Sequence, residues 1–295
     1  AVADSGTDNA PESGAVEAGE NLFSNLKDPR LQAIFQRAEI LRQLGFDDWS
    51  NKELQFIEAH TRNKTYLQSL IDKYEIGNLY SRSAYIAEIY YENERRKSFS
   101  ANNPGWKKAY PEAFDKLISK YADNYSVPES LLWGIMRTES FFKPYAHSGV
   151  GALGLMQVMP LTGQKMAEQL GASNFRADQL FDPETNIKIG GKYVQRLSKM
   201  FDGYVPLIAA GYNAGPHRVY SWLRNFGKLS MDEFIEHIPY NQTRGYAKKV
   251  LRGYYVYSSL YFPNELKKKS IEWLAEPPKI SYTGPVPTKE TWEPF

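Results

Sequence analysis

Apolar residues recur every three or four positions through most of this chain, and that period leaves room for helices and little else. Leu31, Ile34, Phe35, Ala38, Leu41 and Leu44 mark a first amphipathic run, which Gly45 stops. Asn51-Lys-Glu-Leu-Gln opens a second, with Leu54, Ile57 and Glu58 along one face. Asn63 to Tyr74 reads as a third helix, ended near Gly77, and Ser81 to Arg96 as a fourth. Ser126-Val-Pro-Glu129 has the form of a capping box, the serine oxygen accepting from the third helical N–H while the glutamate reaches back. Asp182-Pro183 is an N-cap followed by proline at the first helical position, and Gly215-Pro216 ends a helix. No two alternating segments are joined by a hairpin turn, so the expected fold class is all-α.

At 295 residues the chain exceeds the ~100–200 of a typical single domain. Residues 1–29 carry no large apolar side chain before Leu22 and read as a flexible tail. Residues 30–104 read as a small helical domain, closed by the loop signal Asn102-Asn103-Pro104-Gly105. A second helical domain covers 105–262, and 263–295 form an extension with a basic run at Lys267–Lys269 and a proline-rich end packed as extended chain. The chain starts at Ala1 rather than Met, which fits a removed signal peptide and equally a trimmed terminus.

Charge and composition exclude several classes. Lys and Arg number 36 against 34 Asp and Glu, and the resulting +2 gives no reason to expect nucleic acid. With no cysteine there is no disulfide, thiolate nucleophile or zinc–thiolate site. His60, His147, His217 and His237 show no ligand spacing, so neither a metal nor a cofactor is expected. No stretch reaches the ~18 apolar residues of a membrane span. Aromatic residues at 14% fit a sugar-lined groove and fit a tyrosine-rich core as well.

Three clusters carry chemistry. In the helix after Ser126, Leu132, Ile135 and Glu139 fall at i, i+3 and i+7, which sets Glu139 on the apolar stripe at the C-terminal end. Desolvation and the negative helix terminus both raise its pKa, as a general acid near neutrality requires. A glutamate bent out to water at the rim of the stripe is the alternative. Ten residues on, Gly149-Val-Gly151-Ala-Leu-Gly154-Leu-Met156-Gln157 combines a backbone that can approach a ligand with an amide suited to sugar hydroxyl or acetamido groups. It lacks the Gly-Lys-Ser/Thr ending of a phosphate loop. Ile208-Ala-Ala-Gly-Tyr212-Asn213-Ala-Gly215-Pro216 then presents Tyr212 and Asn213 at a helix end, where a hydroxyl can reach the carboxyl.

Glu139-Ser140, Gly154-Leu-Met-Gln157 and Ala210-Gly-Tyr212-Asn213-Ala-Gly-Pro216, in this order, resemble the three signature motifs of the family 1 lytic transglycosylases. Phe234-Ile-Glu-His-Ile-Pro239-Tyr-Asn-Gln242-Thr-Arg244-Gly-Tyr246 is similar to the segment that follows them in that family. The resemblance covers roughly 110–260 and implies a lysozyme-like, mainly α catalytic domain preceded by a small helical domain. It implies peptidoglycan glycan strands as the partner, a periplasmic or cell-envelope location, no cofactor and a monomer. By position in the motifs, Glu139 would be the acid and Tyr212 would orient it. Gln157, Ser148, Met159, Asn213 and Gln242 would line the substrate groove. Two departures stand out: Gln242 replaces the usual glutamate, and an extra Gly211 precedes Tyr212 where Ala-Ala-Tyr-Asn is commoner.

Glycosidases commonly work with two carboxyls, whereas the matched motifs supply one. The family's chemistry implies that Glu139 protonates the β-1,4 bond between N-acetylmuramic acid and N-acetylglucosamine, then takes the proton of the C6 hydroxyl that closes on C1. Three other readings stand beside this one. They are a goose-type-lysozyme-like hydrolase using water, a chitin-cleaving variant, and a degenerate sugar-binding scaffold for envelope proteins.

Overall fold

The computed structural model describes residues 28–61, 63–263, 274–280, 282 and 284–292. Most of the flexible-tail expectation (1–27) and the Lys267–Lys269 run lie outside them. Among the described residues the chain is helical, with only isolated bridges at His147–Leu153 and Leu153–Val158. The all-α class expected from the sequence is the class observed among the described residues. The chain forms two compact units that divide at Glu92/Asn93, which leaves the Asn102–Gly105 signal inside the second unit. There Asn103 caps a short helix, its side chain accepting from the Gly105 N–H with Pro104 in the first turn.

The first unit holds α1 (Pro29–Gln43), α2 (Asp47–His60), α3 (Lys64–Ile76) and α4 (Tyr80–Tyr90). Asp28 caps α1 and Asn63 caps α3 through their side-chain oxygens. Helix α2 starts at Asp47, ahead of the expected Asn51, because Asp47 and Asp48 suit the positive end of the helix. Asn51 is instead a buried tie, accepting from Arg42 and donating to the Gly77 carbonyl. Leu54, Ile57, Leu70 and Ile71 are fully buried. Glu58 lies on the inner face as its spacing suggested, accepting from the Tyr74 hydroxyl at 2.9 Å and from Arg82. The fourth expected helix breaks at Tyr91, and α5 (Glu92–Lys97) follows it.

The second unit continues with α6 (Pro104–Ala109), α7 (Asp115–Tyr125), α8 (Glu129–Glu139), α9 (Pro160–Gln169) and a 3-10 turn at Ala177–Phe181. It is completed by α10 (Pro183–Met200), α11 (Val205–Ala214), α12 (Pro216–Phe226), α13 (Met231–His237) and α14 (Asn241–Tyr261). Asp182 caps α10 as expected, accepting from the Thr185 N–H. The Ser126 capping box does not form. Ser126 sits in the left-handed region (φ 52°) and closes α7, while extended Pro128 precedes α8. Val127 is held by its N–H to the Ala122 carbonyl and buries its side chain, and Glu129 accepts from the Ser119 hydroxyl.

Helix α8 is the axis of this unit. Every side chain from Ser130 to Met136 is buried, as an element enclosed on all sides requires. Burial of Leu132, Ile135 and Met136 contributes about 1.5–3 kcal/mol each. Its most extensive partner among the described residues is α14, which also packs on α11. The C-terminal segment crosses α13, α12 and α10 as irregular chain. Glu276 accepts from the Met231 N–H, Tyr282 stacks on Tyr220, and Thr291 accepts from Arg196. No described helix is long and apolar enough to cross a membrane.

Candidate active site

Glu139 ends α8, and Leu132, Ile135 and Met136 of the stripe that carries it are fully buried. Its side chain is half-buried, and the loss of hydration raises its carboxyl from the usual 4.5 to about 7. The Tyr246 hydroxyl donates to Oε1 at 2.7 Å and acts in the opposite direction, because it favours the anion. The chain leaves Glu139 through Ser140, whose hydroxyl donates to the Met136 carbonyl and accepts from the Lys143 N–H. Phe141 and Phe142 follow in the left-handed region and turn it sharply away. The carboxyl therefore stands at the end of a rigid helix rather than in a loop.

The glycine-rich stretch folds into a compact double turn. Leu153 and Val158 exchange both backbone hydrogen bonds, and Gly154 N–H donates to the Ala146 carbonyl. Gly154 has φ +76°, and a Cβ there would lie 2.1 Å from the Leu180 carbonyl oxygen, so only glycine fits. Asn186 of α10 is buried at the centre of this turn. It donates to the Leu153 and Leu180 carbonyls and accepts from the Met156 N–H at 2.7 Å. Gln157, also left-handed (φ 47°), donates its amide N–H groups to the Ala146 and Gly154 carbonyls. Only its carbonyl oxygen is thereby left to receive a ligand. Ser148 closes the other end of the turn, its hydroxyl accepting from the Ala152 N–H.

Tyr212 and Asn213 leave the end of α11 as expected, but Tyr212 does not hold the carboxyl. Its hydroxyl donates to the Met156 carbonyl at 2.8 Å, and the hydroxyl on Glu139 is that of Tyr246. Burial and the nearby Glu139 both push the phenol pKa of Tyr212 well up, so it stays a neutral donor. Asn213 accepts from the Thr243 hydroxyl at 2.8 Å. Three hydrogen bonds thus knit four sequence segments: Tyr246 to Glu139, Tyr212 to Met156, and Thr243 to Asn213. Gly211 has a packing reason, since a Cβ there would meet the Phe201 ring at 2.9 Å. Met159 and Gln242 are exposed, Met159 just before α9 and Gln242 in the first turn of α14.

Three residues at this site carried little or no signal in the sequence. Tyr246 stood within the fourth motif but no spacing linked it to Glu139. Asn186 looked like an ordinary helical residue. Glu290, in the aperiodic C-terminal segment, is a second carboxyl raised by burial to about 7, accepting from the Tyr193 hydroxyl. Asp182, in contrast, is an exposed cap and Asp178 an exposed partner of Arg176. Among the described residues no group of acidic and histidine side chains is arranged to hold a metal ion. A cavity of about 440 Å³ lies between Leu170, Phe175, Gln179 and Lys188, and neither Glu139 nor Gln157 nor Tyr212 lines it.

Part of the chain matches a known domain. Residues 116–235 fit the Transglycosylase SLT domain. The soluble lytic murein transglycosylase of Escherichia coli K12 is 40% identical over 152 residues, which is 50% of this chain and 24% of that protein. The membrane-bound lytic murein transglycosylase C of Yersinia enterocolitica is 35% identical over 45% of this chain and 43% of its own length. The chain spans about a quarter of the soluble relatives it matches. Among solved structures, the 70 kDa soluble lytic transglycosylase of Escherichia coli superposes with a TM-score of 0.65 and 26% identity, covering 91% of this chain and 39% of that one. The lytic transglycosylase of Pseudomonas aeruginosa, solved as an inactive glutamate-to-glutamine mutant, gives 0.58 and 29% identity over 78% and 37%. Residues 116–235 thus carry a Transglycosylase SLT domain, and the chain is similar over that region to lytic murein transglycosylases.

Proposed function

We propose that this protein cleaves peptidoglycan glycan strands as a lytic transglycosylase, with Glu139 as both acid and base. The supporting observation is the half-buried carboxyl of Glu139 at a helix end, held by the Tyr246 hydroxyl and kept protonated to about pH 7. Protonated Glu139 gives its proton to the β-1,4 glycosidic oxygen, and the bond to C1 of N-acetylmuramic acid breaks. The substrate's acetamido oxygen supports the cationic C1. The Glu139 carboxylate then accepts the proton of the C6 hydroxyl as O6 bonds to C1, which restores the acid and consumes no water. Closure within one sugar needs no second reactant to be captured. The Gln157 carbonyl oxygen is oriented by its own committed amide, as an acceptor for a sugar hydroxyl or acetamido N–H must be. Ser148, Met159, Asn213 and Gln242 are the other residues of the proposed groove. With peptidoglycan as the substrate, the cell envelope is the proposed location and a monomer the proposed acting form.

Product mass decides between this chemistry and hydrolysis, because the 1,6-anhydro end is lighter than the hydrolytic end by one water. Mass spectrometry of material released from purified sacculi is expected to show the anhydro form, and Glu139→Gln to fold and release none. A water-added product from the parent protein would establish the hydrolase instead. Release by Glu139→Gln would remove Glu139 from the mechanism.

A further inference from the structure

The C-terminal segment touches the site through residues that no motif contains. Tyr193 of α10 is buried, and its ring lies 5.4 Å from that of Tyr212. Its hydroxyl donates to both carboxyl oxygens of Glu290, at 3.1 and 3.2 Å. One turn further along α10, Arg196 is 4% exposed and donates to the Thr291 carbonyl, with its guanidinium over the Trp292 ring. Trp292 in turn packs against Tyr193, centroid to centroid at 6.2 Å. A buried phenol and a buried guanidinium both need partners, and this segment supplies them.

We propose that Glu290 is a positioning residue that holds the 153–158 turn in register through Tyr193 and Tyr212. The route is continuous. Glu290 fixes the Tyr193 hydroxyl, the Tyr193 ring backs the Tyr212 ring, and the Tyr212 hydroxyl holds the Met156 carbonyl one residue from Gln157. Without the carboxyl, the Tyr193 hydroxyl is buried with no acceptor, and its ring must turn toward water. Tyr212 then loses the surface that fixes its own ring. The 153–158 turn keeps Asn186 and the Ala146 carbonyl but loses the Tyr212 anchor on Met156. Burial of the Glu290 carboxyl agrees with this, since its pKa is raised although the Tyr193 hydrogen bond and Arg196 both act to lower it.

The test compares the full chain with Glu290→Ala and Glu290→Gln, by amide hydrogen exchange and by muropeptide release. In Glu290→Ala the exchange of residues 153–158 is expected to rise about tenfold, with other helices unchanged. The turnover number kcat is expected to fall about tenfold with KM within about twofold, because orientation rather than binding is lost. Glu290→Gln, which keeps an acceptor for Tyr193, is expected to restore both. Exchange at 153–158 equal to that of the parent, or a rise spread evenly over the whole unit, would overturn the positioning role. Only the kinetic arm depends on the proposed activity. A parent protein that releases nothing from sacculi would remove that activity, and the exchange data would still decide the role of Glu290.

Discussion

Gly134 and Gly253 meet backbone to backbone where α8 crosses α14: a Cβ on Gly253 would stand 3.0 Å from the Gly134 Cα. A Cβ on Gly134 would in turn stand 3.1 Å from the Tyr254 nitrogen and 3.2 Å from the Val250 carbonyl oxygen. The neighbours are main-chain atoms, which cannot swing aside. Glu139 lies C-terminal to this contact on α8, and Tyr246 lies N-terminal to it on α14. The close crossing therefore sets the reach of the Tyr246 hydroxyl to the carboxyl.

Gly253→Ala is accordingly expected to destabilise the protein by about 1–3 kcal/mol, as overpacking does. Gly245→Ala, on the same helix with nothing within 4 Å of its added methyl, is expected to stabilise by up to about 1 kcal/mol. Urea midpoints of the two variants, measured side by side, check the opposite signs. A similar effect from both would mean that propensity outweighs the close approach.

Tyr246→Phe keeps the ring and removes the donor. The lost hydrogen bond had favoured the Glu139 anion, so the carboxyl pKa moves further up. The high-pH limb of the rate profile should shift upward while the maximal rate falls about tenfold, because the carboxyl is no longer oriented. A limb that moves to lower pH would contradict the assignment.

Glu139 also links stability to pH. Its carboxyl is near 4.5 when unfolded and about 7 when folded. Below about 4.5 both states are protonated and the group costs nothing. As pH rises from 4.5 to 7 the unfolded chain ionises while the native state keeps its proton, so native stability drains away across that window. Glu139→Gln cannot ionise and should therefore be the more stable protein above pH 7, by at most about 3 kcal/mol, and comparable to the parent at pH 4. Thermal melts at pH 4 and pH 8 check this. Activity has the same sign, since the acid is lost as pH climbs past about 7.

Asn186→Asp replaces a side chain by one of equal size that, once ionised, cannot donate. The Met156 N–H keeps its acceptor, but the Leu153 and Leu180 carbonyls lose their donor and face an oxygen. The cost is about 2–4 kcal/mol, mostly from buried carbonyls left unsatisfied. A denaturation midpoint equal to that of the parent would show that the turn is held elsewhere.

Local pattern determined much of this protein. The three-to-four-residue period set the helical class, Asp182-Pro183 set a helix start, and i, i+3, i+7 spacing put Glu139 on the buried stripe, because each depends on neighbours within a turn or two. Ser126 shows where locality fails: the same Ser-Val-Pro-Glu run allows a cap before α8 and a stop after α7. Packing of Val127 chose the stop.

Which hydroxyl meets Glu139 was decided only by the tertiary structure. Tyr212 and Tyr246 both lie on motif-bearing helices, and nothing in their spacing ranks them. The answer comes from the depth of the Gly134–Gly253 crossing, which brings Tyr246 to Glu139 across 107 positions of chain. Asn186 and Glu290 were hidden for the same reason, since their partners are carbonyls and a phenol that only the folded chain brings within reach. Periodicity records which face of an element is buried. It carries no record of what lies across the interface, and in this site that is where the carboxyl finds its partner.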